Sequence, residues 1–215
     1  MIKVGDKLPA GTLFEYIEVE GEGCSLGPNA FDIAKITEGK TIAIFGLPGA
    51  FTPTCSAQHA PGYIAKFDAF KGAGVDEIWC VSVNDAFVMG AWGRELKAAG
   101  KVRMMADGSA DFAKATGLTL DLSAKGLGLR SGRYSMLVKD GVVTALNVED
   151  GGGYKVSDAD TLLGQAEEAI RGKDQARACA IVEAVAGAVS VPVSVKMRRG
   201  LANGSRTCLE VGPEL

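Results

Sequence analysis

Three short apolar runs, each followed by a stretch of helical periodicity, constrain this chain more than any other feature, because such alternation builds strands joined by crossover helices. The first run, 41–45, is Thr-Ile-Ala-Ile-Phe, and after the turn-rich stretch 46–54 a helix is expected over about 55–71, kinked at Pro61. Residues 77–83, Glu-Ile-Trp-Cys-Val-Ser-Val, read as a buried strand, with Asn84-Asp85 capping a helix over about 86–99. A strand at 102–105 and a short helix at about 110–116 repeat the unit.

The rhythm then changes. Residues 134–138 and 142–148 flank Asp140-Gly141, a pair suited to the positive φ angles of a tight hairpin turn. Residues 12–20 alternate weakly, as an edge strand would, and a helix is expected over about 158–170 after the Gly151-Gly-Gly153 linker. This order of elements predicts an α/β domain of thioredoxin-like type, a central mixed sheet flanked by helices, over residues 1–170. Past Ile170 the charge reverses: residues 171–215 carry net +3 against net -6 for the rest. That segment is expected to be a C-terminal extension of one helix, about 174–189, and one strand, 193–197, with Ile181, Val182, Val185 and Val189 on one helical face. One helix and one strand cannot close a core alone.

With 47% hydrophobic and 23% charged residues the chain has the makings of a substantial core. A balance of 23 basic against 26 acidic side chains argues against nucleic acid as a partner. No run reaches the roughly 20 apolar residues of a membrane span, and no signal-peptide pattern opens the chain, so neither a membrane nor an export route is expected and the location read from the sequence is cytoplasmic. The five cysteines, Cys24, Cys55, Cys80, Cys179 and Cys208, include no Cys-x-x-Cys pair, which disfavours a disulfide scaffold or a zinc site. Each is then either a buried small hydrophobe or a reactive thiol.

Local context separates Cys55 from the others. The segment Gly46-Leu-Pro-Gly-Ala-Phe-Thr-Pro-Thr-Cys55 is a strand-to-helix turn that delivers this cysteine to the first turn of a helix. Unpaired backbone N–H groups and the helix dipole stabilise an anion there, and a thiolate is such an anion. The competing reading is an inert buried thiol, which a turn this rich in Gly and Pro does not favour.

Pro48, Thr52 and Cys55 spell Pro-x-x-x-Thr-x-x-Cys, and the string Pro-Gly-Ala-Phe-Thr-Pro-Thr-Cys-Ser resembles the active-site loop of the type II peroxiredoxins, the peroxiredoxin-5 subfamily. Residues 75–85, the stretch Phe87-Val-Met-Gly-Ala-Trp92 and Arg133-Tyr-Ser-Met-Leu-Val138 with Asp140-Gly141 are similar to that family, in family order, so the resemblance spans roughly residues 1 to 168. It implies a thioredoxin-like fold, no metal or prosthetic group, a second copy of the chain as partner in a homodimer, and reduction of hydrogen peroxide and alkyl hydroperoxides. It also implies Cys55 as nucleophile, with Thr52, Arg133 and Pro48 around it.

Elementary chemistry agrees with those roles. A thiolate attacks the O–O bond while negative charge grows on the departing oxygen, so donors must face it. Thr52 has a hydroxyl able to bond the sulfur and the peroxide, although it also suits a helix cap. Arg133 offers a permanent charge and several N–H donors, against the alternative of a surface salt bridge. Pro48 would shield the sulfur from water. Arg130 competes with Arg133, but in the family the catalytic arginine directly precedes the aromatic-Ser-Met strand, which leaves Arg130 to brace a loop or subunit contact. His59, the chain's single histidine, lies four residues after Cys55 and raises a Cys-His dyad as an alternative to a structural role. The glycines of 126–132 miss the dinucleotide spacing and precede a strand, so no nucleotide loop is read there.

The oxidised product, a cysteine sulfenic acid, must be resolved by another thiol. The Gly-rich stretch 151–156, where animal-type members place a resolving cysteine, holds none. Cys80 matches the second cysteine of plant-like members, though a mid-strand position equally suits a core thiol. Glutathione with glutaredoxin, or thioredoxin, is the expected reductant. In the extension, 180–185 and 191–198 are weakly similar to a fragment of the tRNA-dihydrouridine synthases, too short to imply an activity. The reading opposed to a peroxidase is a thioredoxin-fold binding or holdase module with an incidental cysteine.

Overall fold

The computed structural model describes residues 1–17 and 27–188. In chain order the strands and helices are β1 (Thr12–Tyr16), β2 (Pro28–Asp32), α1 (Ile33–Thr37), β3 (Thr41–Leu47), a π-helical turn (Cys55–His59), α2 (Ala60–Ala65), α3 (Phe67–Gly72), β4 (Glu77–Ser82), α4 (Ala86–Glu95), β5 (Arg103–Ala106), α5 (Asp111–Thr116), β6 (Thr119–Leu122), β7 (Gly128–Ser131), β8 (Tyr134–Lys139), β9 (Val142–Val148) and α6 (Ala159–Ala188). Seven strands form one mixed sheet in the order β2-β1-β5-β4-β3-β8-β9, and β6 and β7 form a separate hairpin. Strands β3, β4 and β5 run parallel, while β1 on one side and β8 on the other pair with them antiparallel. This is the thioredoxin-like arrangement expected from the alternation.

The central strand is the most apolar. Residues 42–47 of β3 are all buried, as befits a strand covered on both faces. Ile42, Ile44, Trp79, Val81, Met105, Tyr134, Met136 and Val138 belong to one cluster of buried side chains. Phe45 instead stacks on Tyr63 at 4.1 Å between ring centroids, and Tyr63 stacks in turn on Phe70 at 5.6 Å. The hairpin between β8 and β9 turns at Asp140 and Gly141, with φ of 49° and 73°, and Asp140 accepts a 2.7 Å hydrogen bond from the Gly39 N–H.

Four expectations need correction. The strand at the start of the chain does not lie at the edge, because β2 pairs with its outer side, and residues 18–20 lie outside the described residues. Pro28-Asn-Ala-Phe-Asp32 carries little strand propensity of its own and takes its conformation from that pairing. The helix after Cys55 breaks at Lys66, with φ -99° and ψ 12°, rather than at Pro61. A wide π turn stands immediately before Pro61, where a regular α-turn would drive the ring into the carbonyl four residues back. No strand is expected from the sequence over 119–131, yet this segment holds the β6–β7 hairpin. The helices expected at 158–170 and 174–189 are one helix, α6, since neither Gly172 nor a change in net charge breaks a helix as proline would.

The chain divides into a unit Met1–Ala166 and a unit Glu167–Leu215. In the first, the Asn147 and Gln165 side-chain amides exchange two hydrogen bonds of 2.9 Å and tie the start of α6 to β9. In the second, Ile181 and Val185 are exposed, and the expected strand 193–197 and the segment 191–198 lie outside the described residues. No described helix is long and apolar enough to cross a membrane.

Gly46, opposite Tyr134 across β3 and β8, has no room for a side chain: a Cβ would stand 2.1 Å from the tyrosine ring. Gly46→Ala is expected to destabilise the fold by about 2–3 kcal/mol through overpacking. Urea unfolding measures this, and an unchanged midpoint would contradict the packing described.

Candidate active site

The loop 48–52 leaves the end of β3 and enters a helix that begins at Pro53, a residue suited to a first helical position because it needs no N–H partner. The Ser56 N–H donates to the Thr52 carbonyl at 2.9 Å, closing the first turn around Cys55. Phe51 sits in the left-handed region at φ 61°, a strained conformation for a bulky residue that its surroundings must hold in place. They do so from several sides. The Ala50 N–H donates to Asn84 Oδ1 at 2.9 Å, and Ser82 Oγ lies 2.8 Å from the same atom and 3.3 Å from the Leu47 carbonyl. Trp92 Nε1 donates to Ser56 Oγ at 3.1 Å, with its ring 6.3 Å from that of Phe51. Arg130 braces the neighbouring loops, donating to the carbonyls of Leu127 at 2.7 Å and Val83 at 3.2 Å. A Cβ on Gly49 would come within 3.2 Å of its Nη1.

Cys55 and Arg133 meet in the interior. Cys55 has no exposed surface and Arg133 is 5% exposed. Arg133, immediately before β8, directs Nη1 at the Cys55 sulfur from 3.5 Å and at His59 Nδ1 from 3.0 Å. Its Nε is buried without a hydrogen-bond partner. Among the described residues no carboxylate forms an ion pair with this guanidinium. A buried cation demands compensation, and the acidic group it touches is the Cys55 thiol. The Tyr154 ring, 5.8 Å from the guanidinium carbon, adds a cation–π contact.

His59 is also fully buried. Its Nε2 lies 3.1 Å from the Ser157 carbonyl, which can only accept, so Nε2 carries the proton and Nδ1 is the bare nitrogen that accepts from Arg133. Burial, and after it the Arg133 charge, lowers its pKa to about 3. With both nitrogens engaged elsewhere, this ring is no base for Cys55, and the Cys-His dyad is not formed. Ser157 is itself held. One carboxylate oxygen of Glu149 accepts from the N–H groups of Lys155, Val156 and Ser157 at 2.7, 2.8 and 2.9 Å, and from Ser157 Oγ at 2.8 Å. Partial burial pushes Glu149 upward, but the N–H groups of Val156, Lys155 and Ser157 outweigh it and hold the carboxyl at about 2.

Of the residues singled out from sequence, Cys55 and Arg133 are in contact. Thr52 is adjacent, but its hydroxyl donates to the Gly49 carbonyl at 2.8 Å instead of to the sulfur, leaving its lone pairs as acceptors. Pro48 is half-buried at the head of the loop. Cys80 lies in β4 between Phe45 and Met104 of the flanking strands, and burial, followed by the proximity of Cys55, pushes its thiol well above the ordinary range. Cys55 and Cys80 are free thiols, while Cys24 and Cys208 lie outside the described residues. Sequence reasoning missed Asn84 as a loop anchor: of the Asn84-Asp85 pair only Asp85 caps α4, accepting from the Val88 N–H at 2.9 Å. It also missed the bond from Arg133 to His59, for which an i, i+4 spacing from Cys55 was the available signal.

The buried histidine makes stability depend on pH. The folded state takes up this proton only near pH 3 and the unfolded chain near 6.5, so His59 stabilises the fold fully above that upper value and progressively less as pH falls toward the lower one. The expected slope approaches about 1.4 kcal/mol per pH unit below about pH 6. Because His59 is the single histidine, His59→Asn is expected to flatten the dependence between about pH 7 and about pH 5. Urea midpoints across that window check this, and equal slopes in both proteins would contradict it.

Comparison with known proteins agrees with this geometry. Residues 3–163 match the Redoxin family model. Peroxiredoxin-2B of Arabidopsis thaliana is 46% identical over 162 residues, covering 75% of this chain and 96% of that protein. Reduced Prx3 of Vibrio vulnificus, solved in complex with H2O2, is 46% identical with a TM-score of 0.71, covering 78% of this chain and 100% of that one. A Burkholderia cenocepacia structure described as a candidate thioredoxin reductase is 62% identical with a TM-score of 0.74, covering 76% of this chain and 97% of its own. Fold, site and relatives converge: the chain belongs to the redoxin family and is a type II peroxiredoxin, a thiol-dependent peroxidase.

Proposed function

We propose that Cys55 is the peroxidatic nucleophile and that the protein reduces hydrogen peroxide and alkyl hydroperoxides through a sulfenic acid on this residue. The thiolate sulfur attacks one peroxide oxygen, the O–O bond breaks, and the departing oxygen leaves as water or an alcohol after taking up a proton. The observation that carries this reading is the buried Arg133, whose acidic contact is the Cys55 thiol and which forms no ion pair with any described carboxylate. A cation so placed stabilises the charge that grows on the departing oxygen. Its unpartnered Nε is a spare donor. The Thr52 hydroxyl, with its proton committed to Gly49, offers lone pairs to the peroxide O–H. Pro48 excludes water from the same side. The relative from Vibrio vulnificus, a complex with H2O2, supports the substrate class.

An external thiol then resolves the sulfenic acid: its sulfur bonds to the Cys55 sulfur, water leaves, and a second thiol reduces the mixed disulfide. Glutathione with glutaredoxin, or thioredoxin, fits this role. Cys80 is a poor internal resolver, because its buried thiol stays protonated and sits within the sheet. The same reading takes the protein to be a cytoplasmic homodimer, with the exposed Phe51, Phe87 and Leu127 as apolar surface for association.

In stopped-flow measurements on the prereduced protein, Cys55→Ser is expected to abolish peroxide reduction. Arg133→Ala should slow it by about a hundredfold. If Arg130→Ala slows the peroxide step and Arg133→Ala does not, the arginine assignment is reversed. Cys80→Ser should leave glutaredoxin-supported turnover largely intact. Loss of that turnover, with a Cys55–Cys80 disulfide in peptide mapping, would establish internal resolution instead. Ending the chain after Ile170 should preserve peroxide reduction, and a large loss of rate in a well-folded truncation would show that the extension takes part.

A further inference from the structure

We propose that His59 is a positioning residue for the peroxidase reaction, its bare Nδ1 holding the Arg133 guanidinium against the Cys55 sulfur. The inference rests on the roles given above to Cys55 and Arg133, and adds the group that places one against the other. A single nitrogen, Arg133 Nη1, reaches both Cys55 Sγ at 3.5 Å and His59 Nδ1 at 3.0 Å, so the imidazole fixes the atom that faces the sulfur. Arginine side chains have several rotatable bonds, and a guanidinium without an acceptor beside it would sample other positions in the pocket.

The chemical identity of the acceptor matters. A carboxylate in this place would hold the guanidinium equally well but would neutralise it, leaving less attraction for a thiolate or a departing oxygen. A neutral imidazole supplies a lone pair and no charge. It therefore positions Arg133 while leaving the whole cation to the sulfur.

The surroundings enforce the required tautomer. The Ser157 carbonyl accepts a hydrogen bond from Nε2–H, with N and O 3.1 Å apart, and Glu149 fixes Ser157 through the backbone and hydroxyl bonds described above. Phe45, Tyr63 and Tyr154 pack around the imidazole with ring centroids 5.0, 5.7 and 5.2 Å away, which opposes a flip of the ring. The ionisable groups around it come from every neighbouring element: Cys55 on its own turn, Tyr63 on α2, Arg133 ahead of β8, Glu149 after β9, and Tyr154 and Asp158 ahead of α6. Glu149 and Asp158 favour the protonated ring, whereas burial and Arg133 oppose it and prevail.

Since the chain has one histidine, nitrogen NMR of the reduced, full-length protein gives a single imidazole to read. The expected result is a neutral ring protonated at Nε2 from about pH 8 to about pH 5. A ring protonated at Nδ1, or an imidazolium near pH 6, would overturn the proposal. Kinetics supply an independent arm. His59→Leu, which has no acceptor, should slow the peroxide step by about tenfold to a hundredfold. His59→Asn, whose amide oxygen can stand near Nδ1, should recover most of that loss, and His59→Glu should not recover it at neutral pH because it neutralises Arg133. A purely structural role would make these rates follow folding stability instead. If Arg133→Ala slows the peroxide step and His59→Leu does not, the positioning role fails alone. If neither variant slows it, the reading of the site itself fails.

Discussion

A guanidinium buried beside a thiol, with no described carboxylate to neutralise it, is the constraint on which the rest of this structure depends. Such an arrangement tolerates little error, because a buried cation shifted from its partners loses compensation without regaining water. The sheet provides the accuracy. Strand β3 ends in the loop that carries Pro48 and Thr52 toward Cys55, and β8 begins directly after Arg133, so two adjacent strands bear the two halves of the site. Their register is locked where the Tyr134 ring lies over Gly46. A slip by one residue would turn each side chain of β8 to the opposite face and carry Arg133 away from the sulfur.

Around this pair the protein uses neutral polar groups as supports. Asn84 holds Ala50, Thr52 holds Gly49, Ser157 holds His59, and Trp92 holds Ser56. None of these bonds adds a formal charge near the sulfur. The ionised carboxylate in the network, Glu149, spends one oxygen on the backbone of the 155–157 segment instead of on Arg133. Geometry is thus fixed by dipoles, and the electrostatic asymmetry of Arg133 and Cys55 is preserved.

What could be read from the sequence follows the range of the forces involved. The strands at 41–47, 77–82 and 134–139 were legible because their burial is written in continuous apolar runs, and the turn at Asp140-Gly141 because its φ angles demand those residues. Strand β2 was not, since Pro28 to Asp32 becomes a strand through pairing with β1 and not through its own composition. Cys55 stood out from local chemistry together with family resemblance. Its contact with Arg133 spans 78 residues of chain, and the bond from the Ala50 N–H to Asn84 spans 34. Such contacts exist only once the sheet is assembled. The π turn was hidden for a different reason: Pro61 signals a disturbed helix, but whether the chain kinks or widens depends on packing.

That widened turn has a consequence for the order of events in the proposed cycle. Cys55 has no exposed surface, so a bulky thiol reaches it only if this stretch unwinds. The turn is well suited to do so: the Ala60 N–H spans five residues back to the Cys55 carbonyl, and Pro61 donates no hydrogen bond at all. In the proposed cycle the closed form would build the nucleophile and an opened form would surrender its product, so the two halves would compete for one helical turn. A sulfenic acid kept waiting in the closed form remains within reach of a second peroxide, which would carry it to the sulfinic state. On that proposal, the lifetime of the turn would set the oxidant dose at which the protein changes from a catalyst into a spent scavenger.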